Sequence, residues 1–401
     1  MSKAIAIAAA LLMIISCSPS KQDPRLVQRI QNIENGLEEF NPGPPDPAKT
    51  PLKMKRAERM AVHKIPGVSI AVIDGNKIQW AKSYGVLSAA SGAPVTTESI
   101  FQAASTTKML VAAIVLHFAG KGLLDLDRDI NTYLKSWKVP ENKLTKEKKV
   151  TLRLIMTHQS GLPMTNFPYD DGPPPSLVQV LKGEPPARNK PAVVEFTPGS
   201  KWQYSNIGYV VIQLLLEDVT GRSLAGLMQD VIFKPIKMKS STLVYPLEAG
   251  LRAREALPHD VDGKPGEPAL HATAQAQGGL MTTPSDLALF TIELMKAYRG
   301  ESGLILTQDM ARTMLRPELD LDPALLGMPI REGLGVMLSA EGAPFYFGHP
   351  GDNYPGATSW VIGYPELGTG IVIMTNGAKG TILAMEIMPA FVNEYVAAKG
   401  R

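Results

Sequence analysis

Residues 99–120 read Ser-Ile-Phe-Gln-Ala-Ala-Ser105-Thr-Thr-Lys108-Met-Leu-Val-Ala-Ala-Ile-Val-Leu-His-Phe-Ala-Gly120. The stretch alternates over 99–104 and then runs apolar at helical length from Met109 to Ala119, so a strand-like segment hands over to a helix. Ser105 falls in the first helical turn, and Lys108, three residues on, lies one turn up on the same face, within reach of the serine hydroxyl. Backbone N–H groups at a helix start also favour negative charge there. A hydroxyl is a weak nucleophile until a base takes its proton, and a lysine can be that base when burial and nearby cations lower its pKa. The pair alone carries little weight. Ser-x-x-Lys arises by chance roughly once or twice in a chain of this length, and Ser18 to Lys21 is a second match.

Outward from this segment, the chain is that of a folded, nearly neutral protein. Of its 401 residues 44% are hydrophobic and 20% charged, which excludes wholesale disorder and a fibrous repeat. Lysine and arginine number 41 against 38 acids, too slight an excess for a protein that coats phosphate backbones, so nucleic acid is not an expected partner. A single cysteine rules out an internal disulfide framework and a multi-thiolate zinc site. His63, His117, His259 and His271 fall in no His-x-His or His-Glu-x-x-His spacing, so no metal and no cofactor are expected.

The N-terminus opens Met-Ser-Lys3, runs apolar from Ala4 to Ile15 and reaches Ser16-Cys17, the layout of a secretory signal over residues 1–16. That run is too short for a bilayer span of about 20 residues. Ile14-Ile15-Ser16-Cys17 is similar to the lipobox of bacterial lipoproteins. The resemblance implies a diacylglycerol thioether on Cys17 and, with no Asp at position 18, the periplasmic side of the outer membrane in the bacterial envelope. An incidental cysteine in a plain signal peptide is the alternative. Loss of residues 1–16 removes Lys3 alone among charged groups, so the mature charge is 40 minus 38, or +2.

Residues 24–40 carry apolar positions at helical spacing, and residues 41–51 hold five prolines. The helix is read either as an appendage between lipid and body or as packed on the core. Residues 17–54 are accordingly set apart as lipidated N-terminus, helix and Pro-rich linker, with a domain over 55–395. Val68 to Ile73, Asp74-Gly75-Asn76 and Lys77 to Tyr84 read as a hairpin. Helices are expected at Ile207 to Val219, at Ser285 to Tyr298 after a Thr283-Pro284 start, and at Ile382 to Ala398. Phe345 to His349, Ala357 to Gly363 and Gly370 to Met374 are strand candidates. Strands at both ends predict an α/β part from about 55–100 and 330–395, with a helical part over about 101–329. Residues 163–198, with nine prolines, read as a long loop.

Two further elements follow Ser105-x-x-Lys108 in order. Tyr204-Ser-Asn206 comes after Thr197-Pro-Gly and before a helix, and His349-Pro-Gly351 opens a Gly-rich β segment. With Ile65-Pro-Gly-Val-Ser-Ile-Ala71, Thr151 to Leu162 and Gly278-Gly-Leu-Met-Thr-Thr-Pro-Ser-Asp286, this set resembles the serine β-lactamase and penicillin-binding-protein superfamily, in its class C branch, which also holds esterases and D-amino-acid peptidases. The resemblance covers roughly residues 55 to 395. It implies an antiparallel sheet flanked by helices with an inserted helical subdomain, and a serine hydrolase working through an acyl-enzyme.

Carried over residue by residue, the resemblance makes Ser105 the nucleophile and Lys108 its base. Tyr204 shares that role and protonates the leaving group, through a stabilised phenolate or as a relay. The backbone N–H groups of Ser105 and Asp352 form the oxyanion hole. Asn206 binds substrate and orients Lys108, while His349 and Gly351 line the substrate site. His158 is read as a structural loop histidine. His349 departs from the family's lysine. An ordinary imidazole is mostly neutral at pH 7, so a substrate carboxylate loses its fixed cation, and weight moves from β-lactams toward esters and D-amino-acid amides or peptides. If His349 instead binds a carboxylate as the cation, affinity for anions should fall as pH rises. The expected partners are a small-molecule or peptide substrate and, through the lipid, the membrane. The alternative function is a non-catalytic envelope lipoprotein that binds peptidoglycan or a partner, which has no use for Ser105, Lys108 and Tyr204 together.

Overall fold

The structure, a computed structural model, describes residues 23–40, 51–170, 172–268, 272–326 and 328–399. The signal segment, Cys17 and most of the Pro-rich spacer lie outside the described residues.

The hairpin forms as expected. Strands β1 (Gly67–Asp74) and β2 (Lys77–Gly85) turn through Gly75 and Asn76, both at positive φ. Strands β3 (Phe101–Gln102) and β4 (Met281–Thr282) make a small separate ribbon. The C-terminal third supplies β5 (Leu319–Leu321), β6 (Ile330–Glu332), β7 (Met337–Ser339), β8 (Phe347–Asn353), β9 (Ala357–Tyr364) and β10 (Thr369–Thr375). These and the hairpin form one antiparallel sheet in the order β2-β1-β10-β9-β8-β7-β6-β5. The two ends of the chain meet where Val68 pairs with Thr375. The expected α/β class holds, although β5 brings the sheet segment forward of residue 330.

Period-2 alternation divides β1 between two cores. Ala71 and Ile73 face one shared with the helices Thr107–Gly120, Asn206–Thr220 and Pro284–Arg299. Val68, Ile70 and Val72 face another, built with the helix Gly380–Phe391. Both faces of the strand are therefore buried, which is why Val68 to Ile73 is apolar except for Ser69, whose hydroxyl is satisfied by Ser83 at 2.8 Å. The helix Pro284–Arg299 starts on a Thr283 cap and lies across the sheet, so the helical and α/β parts are not cleanly separable.

Three expectations are corrected. The first helix spans Pro24–Asn35, shorter than 24–40, and is no appendage. Ile30, Ile33 and Leu37 are buried among Leu383, Ile387 and Phe391, and Arg29 lies 3.7 Å over the Tyr395 ring. The domain therefore includes residues set apart with the linker. Residues 163–198 contain a helix, Leu177–Lys182, with a Ser176/Gln179 capping box and Gly183 closing it at φ 64°. The last helix runs Gly380–Phe391 and then widens into a π turn over Val392–Val396.

Candidate active site

Ser105 is delivered by a strained turn. Ala104 sits in the left-handed region at φ 46°, a conformation that costs a residue with a Cβ of order 1–3 kcal/mol. Hydrogen bonds hold it there. The Thr107 hydroxyl donates to the Ala104 carbonyl at 2.6 Å and accepts from the Leu280 N–H at 3.1 Å. The Ser359 hydroxyl on β9 donates to the Ala103 carbonyl at 2.6 Å, and Thr106 meets Ser359 at 2.6 Å. After a 3₁₀ turn the chain enters the helix Thr107–Gly120, so Ser105 stands at the helix start, partly exposed.

Lys108 lies one turn up, as its spacing predicts. Its Nζ is 2.9 Å from Ser105 Oγ and donates to the Gln277 carbonyl at 2.6 Å. The side chain is fully buried and has no anionic partner among the described residues, so burial alone drives its pKa well below that of an ordinary lysine. A neutral amine so held has a lone pair for the Ser105 proton. The sequence gives no sign of Gln277, which lies next to Gly278-Gly-Leu, because a backbone carbonyl leaves no side-chain signal.

Tyr204 contacts the same hydroxyl. Its phenol is hydrogen-bonded to Ser105, and Lys108 Nζ is 4.9 Å from its ring centre. Burial raises the phenol pKa, the Ser105 bond opposes the rise, and Glu332 adds to it. The group stays a phenol, which favours relay over a standing phenolate. Ser205 caps the helix Asn206–Thr220, its hydroxyl accepting from Gly208 N–H and donating to the Pro163 carbonyl. His158, itself at φ 56°, accepts from Ser205 N–H through Nδ1 at 3.1 Å and stacks on Tyr204 at 4.2 Å. The loop histidine thus directly supports the Tyr204 ring.

On the sheet side, β8 passes against the nucleophile turn. A side-chain carbon at Gly351 would collide with the Ala103 carbonyl and stand 3.0 Å from the Ser105 nitrogen, so glycine is required there. Asp352, the next residue, lines the same cleft as Ser105. His349 is buried, and its Nδ1–H donates to the Pro350 carbonyl. Burial, then the nearby Lys108, lowers its pKa to about 3. The imidazole is therefore held in its neutral form in the free protein. Asn206 lines the cleft, but Lys108 is held by Ser105 and Gln277 rather than by Asn206, whose Oδ1 accepts no hydrogen bond among the described residues. The cleft has a volume of about 890 Å³. Met164, Phe167 and Trp202 give it apolar wall, and its charged lining residues are Asp260, Glu267, Asp352 and Lys264.

The beta-lactamase family model matches residues 55–386. Penicillin-binding protein 4 of Amycolatopsis lactamdurans is 26% identical over 350 residues, covering 84% of this chain and 87% of that protein. An unguisins hydrolase of Aspergillus campestris is 30% identical over 193 residues, which cover 45% of this chain and only 33% of the relative. The D-amino acid amidase of Ochrobactrum anthropi SV3, solved with L-phenylalanine, superposes with a TM-score of 0.69 at 21% identity, covering 92% of this chain and 98% of its own.

Proposed function

The chain belongs to the beta-lactamase family, and we propose that within it this protein is a serine hydrolase that forms its acyl-enzyme on Ser105. The observation that carries the reading is the fully buried Lys108 Nζ 2.9 Å from a solvent-reachable Ser105 Oγ. Ser105 Oγ attacks the substrate carbonyl as its proton passes to Lys108. The tetrahedral oxygen gathers charge at the backbone N–H groups of Ser105 and Asp352. The Tyr204 phenol, hydrogen-bonded to Ser105, returns a proton to the leaving oxygen or nitrogen. Water then attacks the ester and the proton route runs in reverse.

We assign the substrate to esters and D-amino-acid amides or peptides ahead of β-lactams. His349 is held neutral, and the charged side chains lining the cleft are three acids against Lys264, so a substrate carboxylate meets no fixed cation at this strand. The similarity to a D-amino acid amidase supports the amide part of this reading. We further propose that the protein works in the cell envelope, lipid-anchored at Cys17. The test is incubation of the purified chain with a fluorophosphonate, p-nitrophenyl butyrate, a D-alanyl anilide and nitrocefin, with intact-mass detection. One adduct on Ser105 and faster turnover of the butyrate than of nitrocefin are expected. Labelling that persists in Ser105→Ala sinks the assignment.

A further inference from the structure

Glu332 ends β6 and is 1% exposed, yet it forms no ion pair among the described residues, and its Oε2 accepts no hydrogen bond there. The site mechanism above does not use it. A buried carboxyl without a partner is costly, and an apolar side chain would fill the same space without that cost. Its surroundings are equally unusual. Three more buried polar atoms lack partners among the described residues: His158 Nε2, Trp202 Nε1 and Tyr209 OH.

These atoms belong to one cluster. The His158 ring lies 4.2 Å from that of Tyr204, 5.8 Å from Tyr209 and 6.0 Å from Trp202. The Trp202 indole N–H lies beside the Glu332 carboxyl, short of good hydrogen-bond geometry. Glu332 in turn acts electrostatically on both Tyr204 and Tyr209. The turn after it packs closely on Tyr209 and on the backbone of the helix that carries Lys108. A side-chain carbon at Gly335 would lie 2.8 Å from Tyr209 OH and 3.3 Å from the Lys108 carbonyl. Buried polar groups that converge from four segments with so few direct bonds among them are a set that ordered water can bridge.

We propose that Glu332 is a positioning residue of the acylation site, which through water-bridged contacts with Trp202, Tyr209 and His158 fixes the Tyr204 phenol against Ser105. The inference rests on the acyl-enzyme reading above. Burial raises the Glu332 pKa against the opposing contact with Trp202, which favours the carboxylic acid, a group that both donates and accepts as such a network requires. A glutamine retains both capacities and a leucine neither.

The experiment compares wild type, Glu332→Gln, Glu332→Leu and Tyr209→Phe in the full chain. Active serines are counted by fluorophosphonate, and kcat and KM are measured on p-nitrophenyl butyrate. Glu332→Gln should stay within about threefold of wild type, while Glu332→Leu should lose about tenfold or more in kcat per active serine, with KM changed less than twofold. Tyr209→Phe should lose less, in the same direction. A residue with only a structural role would lower the thermal midpoint and the count of active serines but leave kcat per serine intact, and that result overturns the proposal. So does Glu332→Gln falling as far as Glu332→Leu. If Glu332→Leu does not fold, Tyr209→Phe and Glu332→Gln decide: wild-type kcat in Tyr209→Phe overturns it. Absence of any adduct in wild type would instead condemn the acyl-enzyme reading itself.

Discussion

On the outer face of the sheet Glu386 is fully buried and receives Arg59 Nε at 3.0 Å and His63 Nε2 at 3.0 Å. On the inner face Lys108 and Glu332 are as deeply buried and meet no opposite charge among the described residues. The consequences for protonation are opposite. Burial by itself would raise the Glu386 pKa, but Arg59 and His63 outweigh it and hold the carboxylate charged. Burial of Lys108 acts alone and that of Glu332 outweighs its contact with Trp202, so each is driven toward its neutral form. The paired cluster clamps the helix Arg56–His63 to the helix Gly380–Phe391. The unpaired one keeps proton donors and acceptors available beside Ser105.

The comparison breaks most visibly at the nucleophile. Ser105→Ala should lower hydrolysis by at least about 10⁴-fold and abolish labelling, because the acyl bond has no other oxygen to form on. Lys108→Met should fall nearly as far, since the two act as one unit. Neither should lower the thermal midpoint, because the hydroxyl supplies little packing and an unpaired buried amine supplies little stability. A midpoint several degrees lower in Lys108→Met would show that the inner cluster is structural after all.

The outer cluster should respond the other way. Glu386→Gln leaves Arg59 facing a neutral amide and should cost about 3 kcal/mol of stability, with kcat per active serine unchanged. Because the folded-state pKa of Glu386 is depressed, its stabilisation is present above the ordinary glutamate pKa and is lost as pH falls through the folded value. Urea midpoints at neutral and acid pH should therefore converge for wild type and Glu386→Gln on the acid side. A chain beginning at residue 52 tests the same face more coarsely. It uncovers the partners of Ile30, Ile33 and Leu37 and should lose several kcal/mol, each large apolar side chain contributing up to about 1.5–3 kcal/mol. Unchanged urea stability in that truncation would restore the helix Pro24–Asn35 to the status of an appendage.

What was legible in the sequence was local. The hairpin announces itself through Asp74-Gly75-Asn76, the 284–299 helix through Thr283-Pro284, and the nearness of Ser105 and Lys108 through helical spacing. The rest depends on long-range burial. An amphipathic pattern over residues 24–35 shows that a face is covered but not by what. Glutamates are so seldom fully buried that Glu332 reads as surface. The hold on Lys108 comes from a carbonyl 169 residues away. The Ser176 cap of Leu177–Lys182 was hidden among prolines that dominate the segment.

The smallest expected effect sharpens the comparison at its margin, where His349 belongs by environment to the unpaired cluster. Its Nδ1–H is committed to the Pro350 carbonyl, and burial beside Lys108 lowers its pKa to about 3. A histidine so depressed is neutral throughout the range from about pH 5 to pH 8, so it contributes no pH-dependent attraction for a carboxylate there. The ratio of kcat/KM for nitrocefin to that for p-nitrophenyl butyrate should accordingly stay flat across that range. His349→Lys should raise it only modestly, by about threefold, because the new amine would be buried next to Lys108 and two amines so placed disfavour each other's charge. A ratio that falls as pH rises through the ordinary histidine range would show that the anion draws a proton onto His349 on binding. In that case the neutral inner cluster is a property of the free enzyme alone.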